Sequence, residues 1–300
     1  MLPVGQRLNG PTLPLPASSY AGVSTCALPE TGLATPALAP QRLPYHLLAL
    51  TTAGHGTAEV DFTAERCRPG TLIWVRPGQA LRFIGTMDAT LVTWERDLLR
   101  AEDVAGVPVD DPAGPIRWQL AGEDEDAIIS EVTQLAVDCD RHSSGRVAAA
   151  LLRHQLAVLL LRIALLTTDD KIDPATAEAR TFARFRRRLE DDHPHSRRVE
   201  DYAAQLGCSV RTLTRASLAA TGRTAKQVVD DRVALEARRL LACTDLSVAE
   251  IGRRLGFGEP TNFGRFFHRE VGTSPGGFRM DATDSDSIRV PTQRADNNLA

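Results

Sequence analysis

No two of the five cysteines (Cys26, Cys67, Cys139, Cys208 and Cys243) form a C-x-x-C pair, and an odd number cannot close a full disulfide set. This usage fits neither a disulfide framework nor a zinc site. Free thiols in a reducing cytosol are expected, with redox sensing by one of them as the alternative. Residues 1–20 lack a basic segment followed by an apolar one, so no secretory leader is read there. An uninterrupted apolar run is missing too. The most apolar stretch, Val147 to Leu166, contains Arg153, His154, Gln155 and Arg162, which are costly in a bilayer. It reads as a soluble helix with one buried face, and the chain as cytoplasmic with no membrane partner. No nucleophile with a base beside it is recognisable, which argues against an enzyme.

Net charge is nearly absent, at −3 over 300 residues, and that alone argues against a polyanionic partner. The average hides an asymmetry. Between Arg180 and Met280 there are 19 Lys and Arg against 12 Asp and Glu, a net of +7; the remainder has 16 against 26, a net of −10. A basic block in an acidic chain is an electrostatic footprint for nucleic acid, although a solvated helical face gives the same count.

The length suggests two domains. Residues 1–42, rich in proline, read as a flexible arm. From Tyr45 to Trp94, short apolar or alternating runs (HLLALTT, TAEVDF, TLIWV, ALRFI, ATLVTW) are separated by turn signals at AGHG, Arg68-Pro69-Gly70, Arg76-Pro77-Gly78 and Gly85. Strands at about ten-residue spacing predict a sandwich or barrel. Glu123 to Cys139 and Val147 to Leu166 then predict an antiparallel helical pair. The polar stretch 169–179 is the expected linker, and 281–300 a disordered tail.

Within 180–280 one grammar occurs twice. Val199, Tyr202, Ala203 and Leu206 at i, i+3, i+4, i+7 mark one apolar helix face. Gly207 follows, able to adopt positive φ at a turn, and Ser209 can cap a second helix, VRTLTRASLAA. Then Val248, Ile251, Gly252 and Leu255 repeat the spacing behind a Ser247–Glu250 capping box. Gly256-Phe257 turns the chain, and a helix from about Glu259 to Glu270 carries Phe263, Phe266 and Phe267 inward. Between the units, Val229, Val233, Ala237 and Leu241 are spaced by four, as one connecting helix requires. A rigid helix there would place two recognition helices in successive major grooves, about 34 Å apart.

The stretch LACTDLSVAEIGRRLGFGEPTNFGRFFHREVGTSPGGFR resembles the signature of the AraC/XylS regulators, and CSVRTLTRASLAATG resembles their first recognition helix. The chain departs from the pattern at Ala216-Ser217, where a bulky apolar and an aromatic residue are usual, at Gly252, where Ala is usual, and at Gly276-Gly277. The resemblance implies double-stranded DNA as partner, read by Arg211, Thr214 and Arg215 on the first helix and by Pro260, Thr261, Gly264 and Arg265 on the second. Arginine forks match guanine O6 and N7. Thr261 offers a methyl or a hydroxyl, and Pro260 suits a first helical turn. Ser209, Asn262 and the helix N-terminal amides are phosphate candidates. For each of these the alternative is a solvated surface residue, and Arg215 could instead pair with an acid within the fold. The basic cluster Arg184, Arg186, Arg187, Arg188, Arg197 and Arg198 adds phosphate attraction or simply a solvated face.

The resemblance also implies an α+β chain: a cupin-like β-barrel with a helical pair over 43–168, binding a small effector and forming a homodimer, then an all-α domain with two helix-turn-helix motifs over 180–280. By residue type, Tyr45, His46, Trp74, Arg76, Phe83 and Trp94 are effector-site candidates, with plain core packing as the alternative for each aromatic. Metal-dependent cupins need a His-x-His pair with a Glu and a later His. His46, His55 and Glu59 do not give that spacing, so no metal or cofactor is expected. The rival readings are a cupin-type enzyme fused to a helical domain, a regulator answering to a protein partner or to oligomerisation alone, and a nucleoid-type protein with little sequence preference.

Overall fold

The computed structural model describes residues 22–283 except 32, 34–38, 101, 105–106, 108, 113, 143, 167–175 and 195. The predicted tail beyond Thr283 and the arm before Gly22 lie outside the described residues, as does most of the predicted linker.

The first half is an antiparallel sheet of β1 (Val23–Ala27), β2 (Gln41–Arg42), β3 (His46–Val60), β4 (Thr63–Cys67), β5 (Thr71–Val75), β6 (Ala80–Trp94) and β7 (Arg117–Gln119). The pairing path is β1-β6-β3-β5-β7, with β2 also on β6 and β4 also on β3. Strand alternation sends successive side chains to opposite faces, and here both faces are buried. Leu47, Ala49, Ile73, Val75 and Leu91 join one core with Tyr45 and Phe83. Leu48, Leu50, Leu72, Trp74, Val92 and Trp94 join the other, beneath the helices.

Two predicted turns are not turns. AGHG and Gly85 lie inside the 15-residue strands β3 and β6, which pair along nearly their whole length. The pairing register shifts between Thr51 and Ala53, and Gly56 faces Gly85 across the ladder. A Cβ on Gly54 would stand 2.4 Å from the Thr86 carbonyl oxygen. These glycines serve a bulge and a close backbone approach rather than a reversal. The real reversal is Asp61-Phe62, which joins β3 to β4 with φ of 50° and 66°. Left-handed backbone at two non-glycine residues costs about 1–3 kcal/mol each, so the surrounding contacts must hold it. The predicted arm also contributes to the sheet, because Val23–Ala27 pairs with Thr90–Trp94.

Helices α1 (Gly122–Arg141) and α2 (Arg146–Leu165) form the expected pair. Ile128, Val132 and Leu135 of α1 meet Leu152, Leu156, Leu159, Leu160 and Ile163 of α2 on the sheet. Asp138 accepts hydrogen bonds from Gln134 (2.8 Å) and, across the pair, from Gln155 (2.6 Å). Among the described residues α2 is the one helix long and apolar enough to cross a membrane by composition, and about a third of it is buried. Val147, Leu151, Val158, Leu161 and Leu165 remain exposed along it.

The second half is helical: α3 (Ala177–Asp192), α4 (Val199–Leu206), α5 (Val210–Thr221), α6 (Ala225–Cys243), α7 (Val248–Arg254), α8 (Pro260–Val271) and α9 (Pro275–Thr283). Helix α3 starts inside the predicted linker because the Thr176 side chain accepts from the Ala179 amide and so sets the N-terminus there. Helix α9 runs three residues past the predicted boundary.

The halves touch through the β3–β4 turn. The Asp61 carboxylate accepts from Arg239 Nε at 2.8 Å and from its terminal nitrogen at 2.6 Å. Arg238 lies over the Phe62 ring at 4.4 Å, and Phe62 meets Phe278 edge-on at 5.3 Å. Beside them Arg42 donates to both Glu236 oxygens, at 2.7 and 3.1 Å, and Arg186 pairs with Asp111. Burial works against the Glu236 charge. His193, Arg42 and Arg232 outweigh it and hold that carboxyl far below the usual carboxylate range.

Candidate nucleic-acid interface

Helices α4–α5 and α7–α8 are two helix-turn-helix units joined by α6. Each turn is made by a left-handed glycine, Gly207 at φ 67° and Gly256 at φ 75°. Only a residue without Cβ takes that conformation at little cost. Helix α6 has 19 residues, a rod of ~28 Å at 1.5 Å per residue. A Thr224–Gln227 capping box fixes its start. Its Val229, Val233, Ala237 and Leu241 are fully or almost fully buried. Arg279 of α9 donates to the Leu241 carbonyl (3.1 Å), satisfying an acceptor in the last turn of α6, and to that of Leu246 (2.6 Å) in the connection to α7.

In α5 the apolar side is Leu213, Ala216 and Ser217. The small pair at 216–217 is compensated by aromatics from elsewhere. Phe182 and Phe185 of α3 belong to the same core, and Phe185 packs edge-on against Tyr202 at 5.6 Å. Ser217 keeps its hydroxyl satisfied on the Leu213 carbonyl at 2.9 Å. In α8 the inward residues are Phe263, Phe266 and Phe267. Gly252 of α7 has a packing role: a Cβ there would stand 3.1 Å from Phe263 Cβ. The helices therefore approach within a distance that an alanine would strain.

With those faces buried, the opposite faces are fixed. Arg211 and Arg215 are exposed one turn apart on α5, and Thr214 beside them is half-buried. Arg215 reaches Glu178 of α3 at 3.1 Å. Ser209 is the N-cap of α5, its hydroxyl accepting from the Thr212 amide at 3.1 Å. On α8, Pro260, Thr261, Asn262 and Arg265 are exposed and Gly264 is half-buried. Pro260 occupies the first turn, and the N-cap residue Glu259 makes no side-chain cap. The first amides of α8 thus lack a side-chain acceptor, the arrangement that receives a phosphate. Arg211 and Arg265 meet no carboxylate among the described residues.

Of the basic cluster, Arg197 is structural. It donates to the Gly256 carbonyl at 2.7 Å and lies 3.7 Å over the Phe257 ring, tying the two units together. Arg188 is engaged by Asp192 and Gln205, and Arg198 by Glu200. Arg184 and Arg187 are exposed without an ion pair among the described residues. Arg253 and Arg254, in the last turn of α7, are also exposed and without an ion pair among those residues. Sequence reasoning passed over these two. Their position two and three residues before Gly256 was the available signal.

A helix-turn-helix domain family matches residues 202–281, which begin inside α4 and run through the second unit. The HTH-type transcriptional activator RhaS of Salmonella paratyphi B is 29% identical over 166 residues, covering 55% of this chain and 58% of the relative. RhaS of Salmonella typhimurium matches over the same shares. This block makes the chain a member of the AraC/XylS family. The chain spans a little under three-fifths of the length of these AraC/XylS relatives. Among solved structures, the DNA-binding domain of AdpA in complex with a target DNA is 33% identical, covering 35% of this chain and 92% of that one, with a TM-score of 0.30. ToxT from Vibrio cholerae is 10% identical, covering 86% and 98%, with a TM-score of 0.45.

The six effector-site candidates of this AraC/XylS chain do not line one space. Tyr45 and Phe83 point into one core of the sheet, while Trp74 and Trp94 belong to the other. Period-two alternation requires this split between Tyr45 and the adjacent His46. On the helix side, His46 stacks on Trp94 (4.8 Å, 8°) and takes a 3.4 Å hydrogen bond from Trp74 Nε1. Its other nitrogen lies 3.4 Å from Asp110. Burial lowers the His46 pKa and Asp110 opposes the shift. Arg76 lies 4.5 Å over the Trp74 ring and donates to the Pro115 carbonyl. Burial brings its pKa down to about 10 against the pull of Asp111 and Asp110. Among the described residues Arg76 Nε and Trp94 Nε1 are buried without hydrogen-bond partners. Among the described residues no group of three or more His, Cys, Asp or Glu stands where it could hold a metal ion.

Proposed function

We propose that this chain is a sequence-specific DNA-binding transcription regulator that works in the cytoplasm. The observation that carries the reading is the pair of exposed recognition faces, each with an arginine that meets no carboxylate among the described residues, joined by one capped and largely buried helix. Arg211, Thr214 and Arg215 read the first half-site, and Thr261, Gly264 and Arg265 the second, with Pro260 setting the first turn of α8. Ser209, Asn262 and the α8 amides hold phosphates. A binding assay against competitor DNA tests this: one site in a genome-wide map should resist a large excess of unrelated duplex. Binding that unrelated duplex removes equally well would favour a nucleoid-type protein instead.

The second half of the proposal is control through residues 43–168. A small molecule held at the His46–Trp74–Arg76–Trp94 cluster would change the loop over it, and the Asp61–Phe62 turn would carry the change to α6. The ligand must bind one arrangement better than the other to have an effect. The partnerless Arg76 Nε and Trp94 Nε1 support a polar group there. The homodimer is formed through α2, whose exposed Val147, Leu151, Val158, Leu161 and Leu165 make a stripe that water disfavours. Sedimentation of Val158→Asp with Leu161→Asp should give a monomer where the parent gives a dimer. A metabolite thermal-shift screen that finds no ligand would favour control by a protein partner.

A further inference from the structure

An open pocket of about 690 Å³ lies where β3, β4, β6 and β7 come together, away from the His46 cluster. Three arginines line it (Arg66, Arg68 and Arg117) together with His55, and no carboxylate does. Elsewhere in the sheet domain, Arg42, Arg82, Arg96 and Arg100 each meet an acid. None of the three pocket arginines has an ion pair among the described residues.

The fold holds these like charges together on purpose-built acceptors. Gln119 Oε1 receives Arg68 Nε at 3.0 Å, an Arg117 terminal nitrogen at 3.1 Å and the Thr71 hydroxyl at 3.0 Å. The Gln119 amide nitrogen is anchored on the Pro69 carbonyl at 3.1 Å. Arg117 Nε is fixed on the Arg66 carbonyl at 3.0 Å. Two guanidiniums on one neutral oxygen repel each other unless an anion sits between them. Beside them the wall is formed by His55, Thr57 and Ile84 with Gly56 facing Gly85 between the strands. A Cβ on Gly56 would fall 2.7 Å from the Ile84 carbonyl oxygen and 2.9 Å from Met87 Sδ, so glycine there lets the two strands approach closely beside the pocket.

We propose that this pocket binds a small polyanion carrying two or more carboxylate or phosphate groups. Planar forks in a fixed arrangement recognise such groups bidentately, and the volume is that of a small-molecule site. The inference goes beyond control of DNA binding: it claims binding at this pocket, whether or not DNA affinity responds.

The test is calorimetric titration of the full chain with citrate and, separately, with pyrophosphate, each at matched ionic strength. Saturable binding of one or both is expected, and which one binds tells carboxylate from phosphate chemistry. Arg66→Gln and the double variant Arg66→Gln/Arg117→Gln should weaken it, the double by at least about tenfold. Arg146→Gln, at the exposed start of α2, should not. Arg66 is exposed, so its single variant keeps the test open if the double variant folds poorly. No saturable heat from either anion overturns the proposal, as does equal binding by Arg66→Gln and parent. So does a loss of DNA affinity in Arg66→Gln without any anion present, because the cluster would then belong to the DNA backbone.

Discussion

Replacing Asp61 with Asn removes one charge from the contact between the halves and leaves the backbone almost undisturbed, since Asn also tolerates the left-handed φ of 50°. The Asp61 carboxylate serves four donors: two nitrogens of Arg239, the Ala80 amide at 3.0 Å and Gln79 Nε2 at 2.9 Å. An amide keeps one oxygen and turns an NH2 toward donors. The Arg239 side chain is only 4% exposed. Removing one partner of a buried pair costs about 3–5 kcal/mol, because the other charge is left without compensation. Glu236, 3.7 Å from Arg239, retains part of that compensation, which puts the expectation at the lower end, about 3 kcal/mol. Denaturant unfolding of parent, Asp61→Asn, Arg239→Met and the double variant measures it. The double variant should recover at least about 1 kcal/mol of coupling. A loss in Asp61→Asn within about 0.5 kcal/mol, as at an ordinary surface site, would refute a buried, paired contact.

Burial lowers the His46 pKa, so the unfolded chain takes up the proton more readily than the folded one. Stability should fall as pH drops through the ordinary histidine value of about 6.5, and part of that slope should vanish in His46→Asn. Thermal melts at several pH values check this, and identical slopes would contradict it. Gly252→Val should destabilise by about 1–3 kcal/mol through overpacking against Phe263, read from chemical denaturation of the full chain. Unchanged stability would mean that α7 and α8 are not in such close contact.

The DNA-binding half was largely legible because helix signals are local. Turn glycines Gly207 and Gly256, the Ser247–Glu250 box and the four-residue spacing of α6 act within one or two turns of chain. The sheet was less so. AGHG and Gly85 read as turns because glycine marks both reversals and close strand approach, and only the partner strand decides which. The true reversal at Asp61-Phe62 carries no glycine, so nothing local announced it. Its positive φ values go with contacts from α6 and α9, nearly 180 residues or more away. The effector-site candidates failed to converge for a similar reason. Residue type selected aromatics, but strand parity sent Tyr45 and Phe83 to one face and His46, Trp74 and Trp94 to the other. In sequence α3 stands out by its arginines, while its Phe182 and Phe185, which join the first helix-turn-helix core, show no local sign of their partners.

The most direct measurement is an electrophoretic shift of Arg211→Ala and Arg265→Ala on the mapped site, beside an unrelated duplex. Each substitution should weaken specific binding by about 1–3 kcal/mol, roughly 5- to 150-fold, and leave binding to the unrelated duplex nearly unchanged. Parent-like affinity of both variants for the mapped site would mean that the exposed faces of α5 and α8 do not read DNA.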